Sequence, residues 1–474
     1  MDSDEVSQGH EHTKLAWLNR LAQYGTLGVE TLASKYHNGD KCACISVDHG
    51  SFNYCFKIIF DDGTAWAVRF PIAGDVMYPE EKVRREVAVM RFLKENTRVP
   101  VPTVIAFGMA IDNHDPEIGP FIIAEWIEGP LLSSIMEELP RPSWGPVLRK
   151  DISDDTLYII YRQMARILLE LSMHDFDKIG ALSLVKDENG TTSWQVTSAP
   201  LTLKLNEIER GGYVQLRGKI SSCWISDLAN CSDHLSEPFQ TVTAYFQSLV
   251  QQSIKHLREQ KNSVDNADDA RNKYVHRQRI QSIAPRFVSK KHNHGPYKLI
   301  CDDMRPGNMK INLETSEIIG MLDVEWTYTG PYQFLYSPPS WLILSNPTSW
   351  TSSSEGLYQQ KFLIFIKSLE KEEVEREIET GDKVQPDEKL SYLMRQSMQD
   401  GKFWFNELLR ESFNFDEEVL WPNIKRFIQH PQLQELEIPN DADVEAFVQT
   451  KMEDLHQYKI QWQALEEKKK GMQN

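Results

Sequence analysis

From residue 44 onward, apolar and polar positions alternate in short bursts separated by turn residues. Residues 44–48, 54–60 and 64–70 each read as a strand. His49-Gly50-Ser51 ends the first, and Asp61-Asp62-Gly63 joins the other two as a hairpin. Three antiparallel strands are expected, after a polar stretch, residues 1–40, that leads into a short helix. The period then becomes helical. Pro79 suits a first helical turn, Glu80 and Glu81 suit its positive end, and Val83, Val87, Met90 and Leu93 form one apolar stripe. Glu86 lies on that stripe, where a carboxylate needs a cationic partner. Residues 99–102 are extended by their prolines, and 121–127 read as a strand ending at Glu128-Gly129-Pro130. Beyond it the pattern is mainly helical: 155–173 with Leu157, Ile160, Met164, Leu168 and Leu171, a polar and solvated insertion at about 205–290, and 355 to the end. A strand-rich start before a helix-rich majority predicts an α+β chain of two lobes.

Residues 297–331 depart from this regularity. The apolar run Lys298-Leu299-Ile300 stops at Cys301-Asp302-Asp303-Met304-Arg305-Pro306-Gly307-Asn308, a polar segment of the kind that carries catalysis. Two short strands follow, 309–312 and one within 317–324, with a turn near Glu314-Thr315-Ser316. Folding about that turn predicts Asn308 opposite Asp323. An amide oxygen and a carboxylate at one strand end suit Mg²⁺, which takes its other ligands from water and substrate phosphates. Asp303 is left free to accept a proton from a hydroxyl. Asp and Asn also cap turns without any chemistry, so the pair by itself leaves both readings open.

The 474 residues allow about three domains by length. Lys and Arg number 52 against 69 Asp and Glu, a net charge of −17, which argues against a nucleic acid or an anionic membrane as partner. A local basic pocket for phosphate remains compatible with that average. The six cysteines, Cys42, Cys44, Cys55, Cys223, Cys231 and Cys301, contain no CxxC pair and read as reduced thiols. The acidic opening Met1-Asp2-Ser3-Asp4-Glu5 is unlike a secretory signal or an Arg-rich presequence, and no apolar run is long enough to span a bilayer. A cytoplasmic protein is the expectation.

The Asp303-x-x-x-x-Asn308 spacing, followed by Asp323-Val324-Glu325-Trp326, resembles the catalytic loop and metal-binding aspartate of the aminoglycoside phosphotransferase family, in its fungal branch. The similarity covers roughly residues 44–345 and takes in Gly50-Ser51-Phe52-Asn53, the strand carrying Arg69, Glu86, and the strand at 121–129. It implies a bilobal protein-kinase-like fold, with a small antiparallel-sheet N-lobe and a large, mainly helical C-lobe. The corresponding division is 1–40 as N-terminal tail and helix, 41–128 as nucleotide-binding N-lobe, 129–350 as C-lobe with its insertion, and 351–474 as helical extension.

The resemblance further implies ATP and Mg²⁺ as cofactors and a hydroxyl of a small molecule as phosphate acceptor. Gly50, Ser51 and Asn53 would cover the phosphates, Arg69 would meet them with Glu86 as ion-pair partner, and Glu125 and Ile127 would run along the adenine. Asp303 would be the catalytic base, while Asn308 and Asp323 would hold Mg²⁺. Departures from the family pattern are arginine for lysine at 69, Cys301 for histidine, Asp302 for a small residue, and a single glycine, Gly50, in the phosphate turn. They motivate an alternative, a catalytically weak or inactive pseudokinase that binds nucleotide or acts as a scaffold. A structural protein without nucleotide is a further rival.

Overall fold

The computed structural model describes residues 4–143, 145–212, 214, 216, 237–411, 420–428 and 440–472. It opens with α1 (Asp4–Lys35), a 32-residue helix bent at Gly25, so the polar opening is helical from its fourth residue. Trp17, Leu21, Tyr24, Val29, Leu32 and Ala33 on its inner side are buried against the sheet that follows. Those apolar positions are spread too thinly among polar ones to announce a helix of that length.

The sheet contains β1 (Cys42–His49), β2 (Asn53–Phe60), β3 (Ala65–Pro71), β4 (Val104–Gly108) and β5 (Phe121–Glu125), in the order β1-β2-β3-β5-β4 and antiparallel throughout. The β2–β3 hairpin forms at the expected turn: Gly63 has φ +88°, a conformation suited to glycine, and Asp62 Oδ1 accepts from Thr64 N at 2.8 Å. Helix α2 (Pro79–Asn96) crosses between β3 and β4 and buries Val83, Val87, Met90 and Leu93.

The helical part follows the strand β5. It comprises α3 (Ser133–Met136), α4 (Asp154–Ser172), the hairpin β6 (Ala181–Lys186) and β7 (Thr192–Ser198), α5 (Leu203–Arg210), α6 (Val242–Glu259) and α7 (Ala267–Ile283). Next come β8 (Lys298–Cys301), β9 (Met309–Asn312), β10 (Glu317–Met321) and β11 (Thr327–Gly330), then α8 (Tyr332–Leu335), α9 (Ser352–Thr380), α10 (Leu390–Gln399), α11 (Lys402–Arg410) and α12 (Trp421–Lys425). A helix over Asp441–Met472 closes the described chain and lies on α7, where Phe447 stacks on Tyr274 at 4.4 Å. One core joins the apolar faces of α2, α4, α6, α9 and α11 to β8–β11. The insertion is therefore not simply solvated: α6 buries Tyr245, Phe246, Leu249 and Val250, because its apolar residues recur at helical spacing. Cys223 and Cys231 lie outside the described residues, whereas Cys42, Cys44, Cys55 and Cys301 are free thiols. Among the described residues no helix is long and apolar enough to cross a membrane.

Candidate active site

Arg69 sits on β3 between Cys55 of β2 and Ile122 of β5. Its Nη1 donates to Glu86 Oε1 at 2.6 Å, and its Nη2 lies 3.8 Å from Asp323 Oδ1. The apolar stripe of α2 explains the first contact. Burying that stripe carries Glu86 inward, to 1% exposure, so the carboxylate meets the one strand that offers it a guanidinium. Burial alone would push Glu86 up, but Arg69 and Lys82 outweigh it and keep its pKa below the usual carboxylate value.

Lys82 escaped the sequence reading. It stands one turn before Glu86 on α2, is fully buried, and its Nζ donates to Asn53 Oδ1 at 2.9 Å and to Glu86 Oε2 at 3.4 Å. It also forms an ion pair with Glu325, which accepts from Asn53 Nδ2 at 2.7 Å. Asn53, expected to cover phosphates with Gly50 and Ser51, thus points into a buried network that ties β2, α2 and the segment after β10 together. The available signal was the i, i+4 spacing of Lys82 and Glu86 beside an apolar stripe. Its partner Glu325 had no local signal.

Arg69 and Lys82 face three carboxyl groups, Glu86, Asp323 and Glu325, one more than there are cations. Burial and the neighbouring Glu325 push Asp323 up to about 8, with Arg69 offsetting part of the shift. A carboxyl held this way would be relieved by an added cation. Asn308 Oδ1 and Asp323 are hard oxygen donors, and among the described residues no three His, Cys, Asp or Glu side chains could hold a metal by themselves. That donor set fits Mg²⁺ completed by phosphate and water oxygens.

Gly50 N donates to Asn53 O at 3.0 Å and closes the β1–β2 turn, while Gly50 and Ser51 are exposed. Phe52 packs edge-on against Trp326 with centroids 5.3 Å apart, which draws this turn toward the segment holding Asp323 and Glu325. At the end of β5 the Glu125 carboxylate turns toward β4 and accepts from Thr103 N and Oγ1 at 3.2 and 2.9 Å. Ile127 lies over β10 at Gly320, where a Cβ would come within 2.7 Å of Ile127 Cδ1.

The polar loop leaves β8 and ends in a 3₁₀ turn, Pro306–Asn308. Asn308 Nδ2 donates to the Asp303 carbonyl at 2.9 Å and to Asp303 Oδ2 at 2.8 Å, so base candidate and amide are locked together and Oδ1 is the end left for a cation. Arg305 Nε donates to Asp303 Oδ1 at 2.7 Å, a contact the sequence reading did not foresee. Asn308 faces Leu322 rather than Asp323: Leu322 N donates to its carbonyl at 2.9 Å. The hairpin closes with Asn312 opposite Glu317, and a bulge between Ile318 and Gly320 adds one residue to β10, which still leaves Asn308 one position short of Asp323. Asp323 still lies just beyond, within reach of Arg69.

The two adjacent aspartates have different partners. Asp302 is bound by Arg410 of α11, whose Nη2 lies 2.9 Å from Oδ1. Burial raises the Asp302 pKa against the pull of Arg410. Cys301 is paired with Thr327 across the β8–β11 ladder, and burial pushes its thiol up to about 12, so it is a neutral packing residue. His174 and Asp175 follow the end of α4, as expected of a helix terminus; His174 packs edge-on against Phe92 and Asp175 pairs with Lys298.

Among curated proteins the chain is similar to "Altered inheritance of mitochondria protein 9, mitochondrial" of Meyerozyma guilliermondii, 22% identical over 62% of this chain and 49% of that protein. The counterpart in Debaryomyces hansenii is 23% identical over 63% of this chain and 49% of that one. The chain thus spans about half the length of the curated relatives it matches. These fungal relatives bear mitochondrial names, which points to mitochondria and overturns the cytoplasmic expectation. The thiol argument separates reducing from oxidising surroundings, not one reducing compartment from another. Among solved structures, a macrolide 2′-phosphotransferase type I aligns with 85% of this chain and 96% of its own at 13% identity and a TM-score of 0.41. The sequence pattern of the phosphotransferase enzyme family matches residues 46–334, well over half of the chain and every site residue above except Arg410. The bilobal α+β chain described here belongs to the phosphotransferase enzyme family.

Proposed function

We propose that this protein is an ATP- and Mg²⁺-dependent phosphotransferase that acts on a hydroxyl of a small molecule. The observation that carries this reading is the Asn308 side chain bonded to both the backbone and the carboxylate of Asp303, at the foot of a hairpin whose other strand leads to Asp323, 3.8 Å from Arg69 of β3. In the reaction, Asp303 takes the proton of the acceptor hydroxyl as its oxygen attacks the γ-phosphorus and the bond to the β-phosphate oxygen breaks. Asn308 Nδ2 holds the Asp303 carboxylate in place for that transfer. Arg69, positioned by Glu86, faces the phosphates, and Gly50 and Ser51 offer backbone above them. Ile127, whose backbone NH and C=O bond to no other described residue, lies with Glu125 along the adenine. Asn308 and Asp323 would hold Mg²⁺, which supplies charge neutralisation for the transferred group. Most of the rate enhancement then comes from positioning and electrostatics.

A small acceptor is favoured over a protein because β11 ends at Gly330 and α8 starts at Tyr332, leaving no activation segment after Asp323. We read 41–128 as the nucleotide-binding lobe, 129–350 as the lobe carrying the loop, and 1–40 and 351–474 as helical additions. The test is Mg²⁺-dependent ATP turnover with a panel of hydroxyl compounds. Asp303→Asn should lower turnover on the order of 10²- to 10⁴-fold while ATP binding, measured by calorimetry, persists. A specific observation favours a second reading: Arg305 binds the Asp303 carboxylate and Arg69 is engaged by Glu86 and Asp323, as in a nucleotide-binding pseudokinase. ATP binding with no Asp303-dependent turnover would establish that reading instead.

A further inference from the structure

Asp303 is flanked by two peptide planes, and the structure fixes both. The plane after it carries the Asp303 carbonyl, which accepts from Asn308 Nδ2 at 2.9 Å. The plane before it carries the Asp302 carbonyl, which accepts from Arg410 Nη2 at 3.3 Å. Arg410 also grips the Asp302 side chain, with Nε 3.1 Å and Nη2 2.9 Å from Oδ1. We propose that Arg410 is a positioning residue that sets the direction in which the Asp303 side chain leaves the loop; the proposal rests on the phosphotransferase reading above.

Arg410 belongs to α11, downstream of the matched family segment at 46–334, so this support comes from outside the family's own pattern. The guanidinium is itself confined. Its Cζ lies 5.8 Å from the centre of the Phe334 ring and its Nη1 3.8 Å from Glu407 Oε1. A planar fork can hold a carboxylate and a carbonyl of the same residue at once, which a lysine ammonium on a flexible stem does far less well. Only Asp302 separates the last residue of β8, Cys301, from Asp303, so there is no slack through which a misplaced Asp302 could be absorbed. An aspartate here, where the resembled family carries a small residue, would be an uncompensated charge beside the base without a dedicated cation. Arg410 turns that liability into a tether.

The measurement is steady-state turnover of the full chain as Arg410→Met and Arg410→Lys, beside Asp303→Asn. Arg410→Met should lower kcat by about 10- to 100-fold, the size expected of a misplaced reacting group, with the KM for ATP within a factor of about two. Arg410→Lys should recover part of that loss, since an ammonium can reach the carboxylate or the carbonyl. A wild-type kcat in Arg410→Met overturns the proposal, and so does a loss that only mirrors a smaller folded fraction in thermal melting. If the wild type shows no Asp303-dependent turnover, the phosphotransferase reading fails, and the tether is then judged by amide hydrogen exchange alone. Residues 302–308 should exchange faster in Arg410→Met while β8 and β11 keep their protection, and unchanged exchange there overturns it.

Discussion

Around Arg69 and Lys82 the charges are buried, come from three separate stretches of chain, and are mutually paired. At Asp303 itself the ion pair is partly exposed and local to the loop, with Arg305 two residues on. Lys82, Glu86 and Glu325 retain at most 2% of their side-chain exposure, whereas Asp303 retains 28% and Arg305 55%. The first region is held by tertiary structure, and its three carboxyl groups outnumber its two cations. The second is held by its own loop and by Arg410. The difference teaches where each half of the site is vulnerable: the proposed nucleotide side to loss of a buried partner, the proposed catalytic side to small shifts in geometry. Interior charge pairs are costly to break singly, while exposed ones contribute little.

Lys82→Met probes the buried side most severely. It leaves Glu325 and Glu86 short of a cation inside the protein and should cost about 3–5 kcal/mol of unfolding free energy. Urea denaturation measures it, and a loss under about 1 kcal/mol would mean the network behaves like a surface pair. A milder probe is proton linkage at Asp323, which burial and Glu325 push up to about 8. Between about 4 and about 8 the folded protein then keeps a proton that the unfolded chain has lost, so stability without metal should fall as pH rises through that window. Binding of Mg²⁺ there releases the proton. Affinity for Mg-ATP should therefore rise with pH, approaching tenfold or about 1.4 kcal/mol per unit below 8, and level off above it. Calorimetry in buffers of different ionisation enthalpy would show the proton release, and Asp323→Asn should remove it. A pH-independent affinity in the wild type would mean that Asp323 is already ionised or does not meet the cation.

Elements governed by neighbours in sequence were legible: the Asp61-Asp62-Gly63 hairpin, α2 with its apolar stripe, and the polar loop between β8 and β9. Glu86 was readable as needing a cation, because its place on the stripe follows from helical period alone. What stayed hidden depended on distance along the chain or on a single inserted residue. Glu325 is far from Lys82 in sequence, Arg410 is 108 residues from Asp302, and neither pairing leaves a local trace. The hairpin closes with Asn312 opposite Glu317, earlier than the pairing of Asn308 with Asp323 requires, and the bulge in β10 makes up only part of the difference, so Asn308 faces Leu322; apolar alternation over five residues cannot reveal either feature. For residues 1–40 the sequence predicts only a polar stretch leading into a short helix, because the few buried positions of α1 gain meaning only beside the sheet they cover.

The smallest effect belongs to Arg305, and it sharpens the contrast most. Its Nε meets Asp303 Oδ1 at 2.7 Å, on the same oxygen that would otherwise be open to an incoming hydroxyl, since Asn308 takes Oδ2. The pair is half open to water, so it should contribute only about 0.2–1 kcal/mol. Arg305→Ala should leave unfolding free energy within about 0.5 kcal/mol of the wild type. Turnover should rise by up to about fivefold, the factor set by about 1 kcal/mol, because the proton acceptor no longer has to leave a cation first. Raised salt should mimic the substitution in the wild type and do nothing further in the variant. A large fall in turnover would show instead that Arg305 reaches the transferred phosphate, placing a third cation beside Arg69 and Lys82 and removing the divide between a buried nucleotide side and a self-contained catalytic loop.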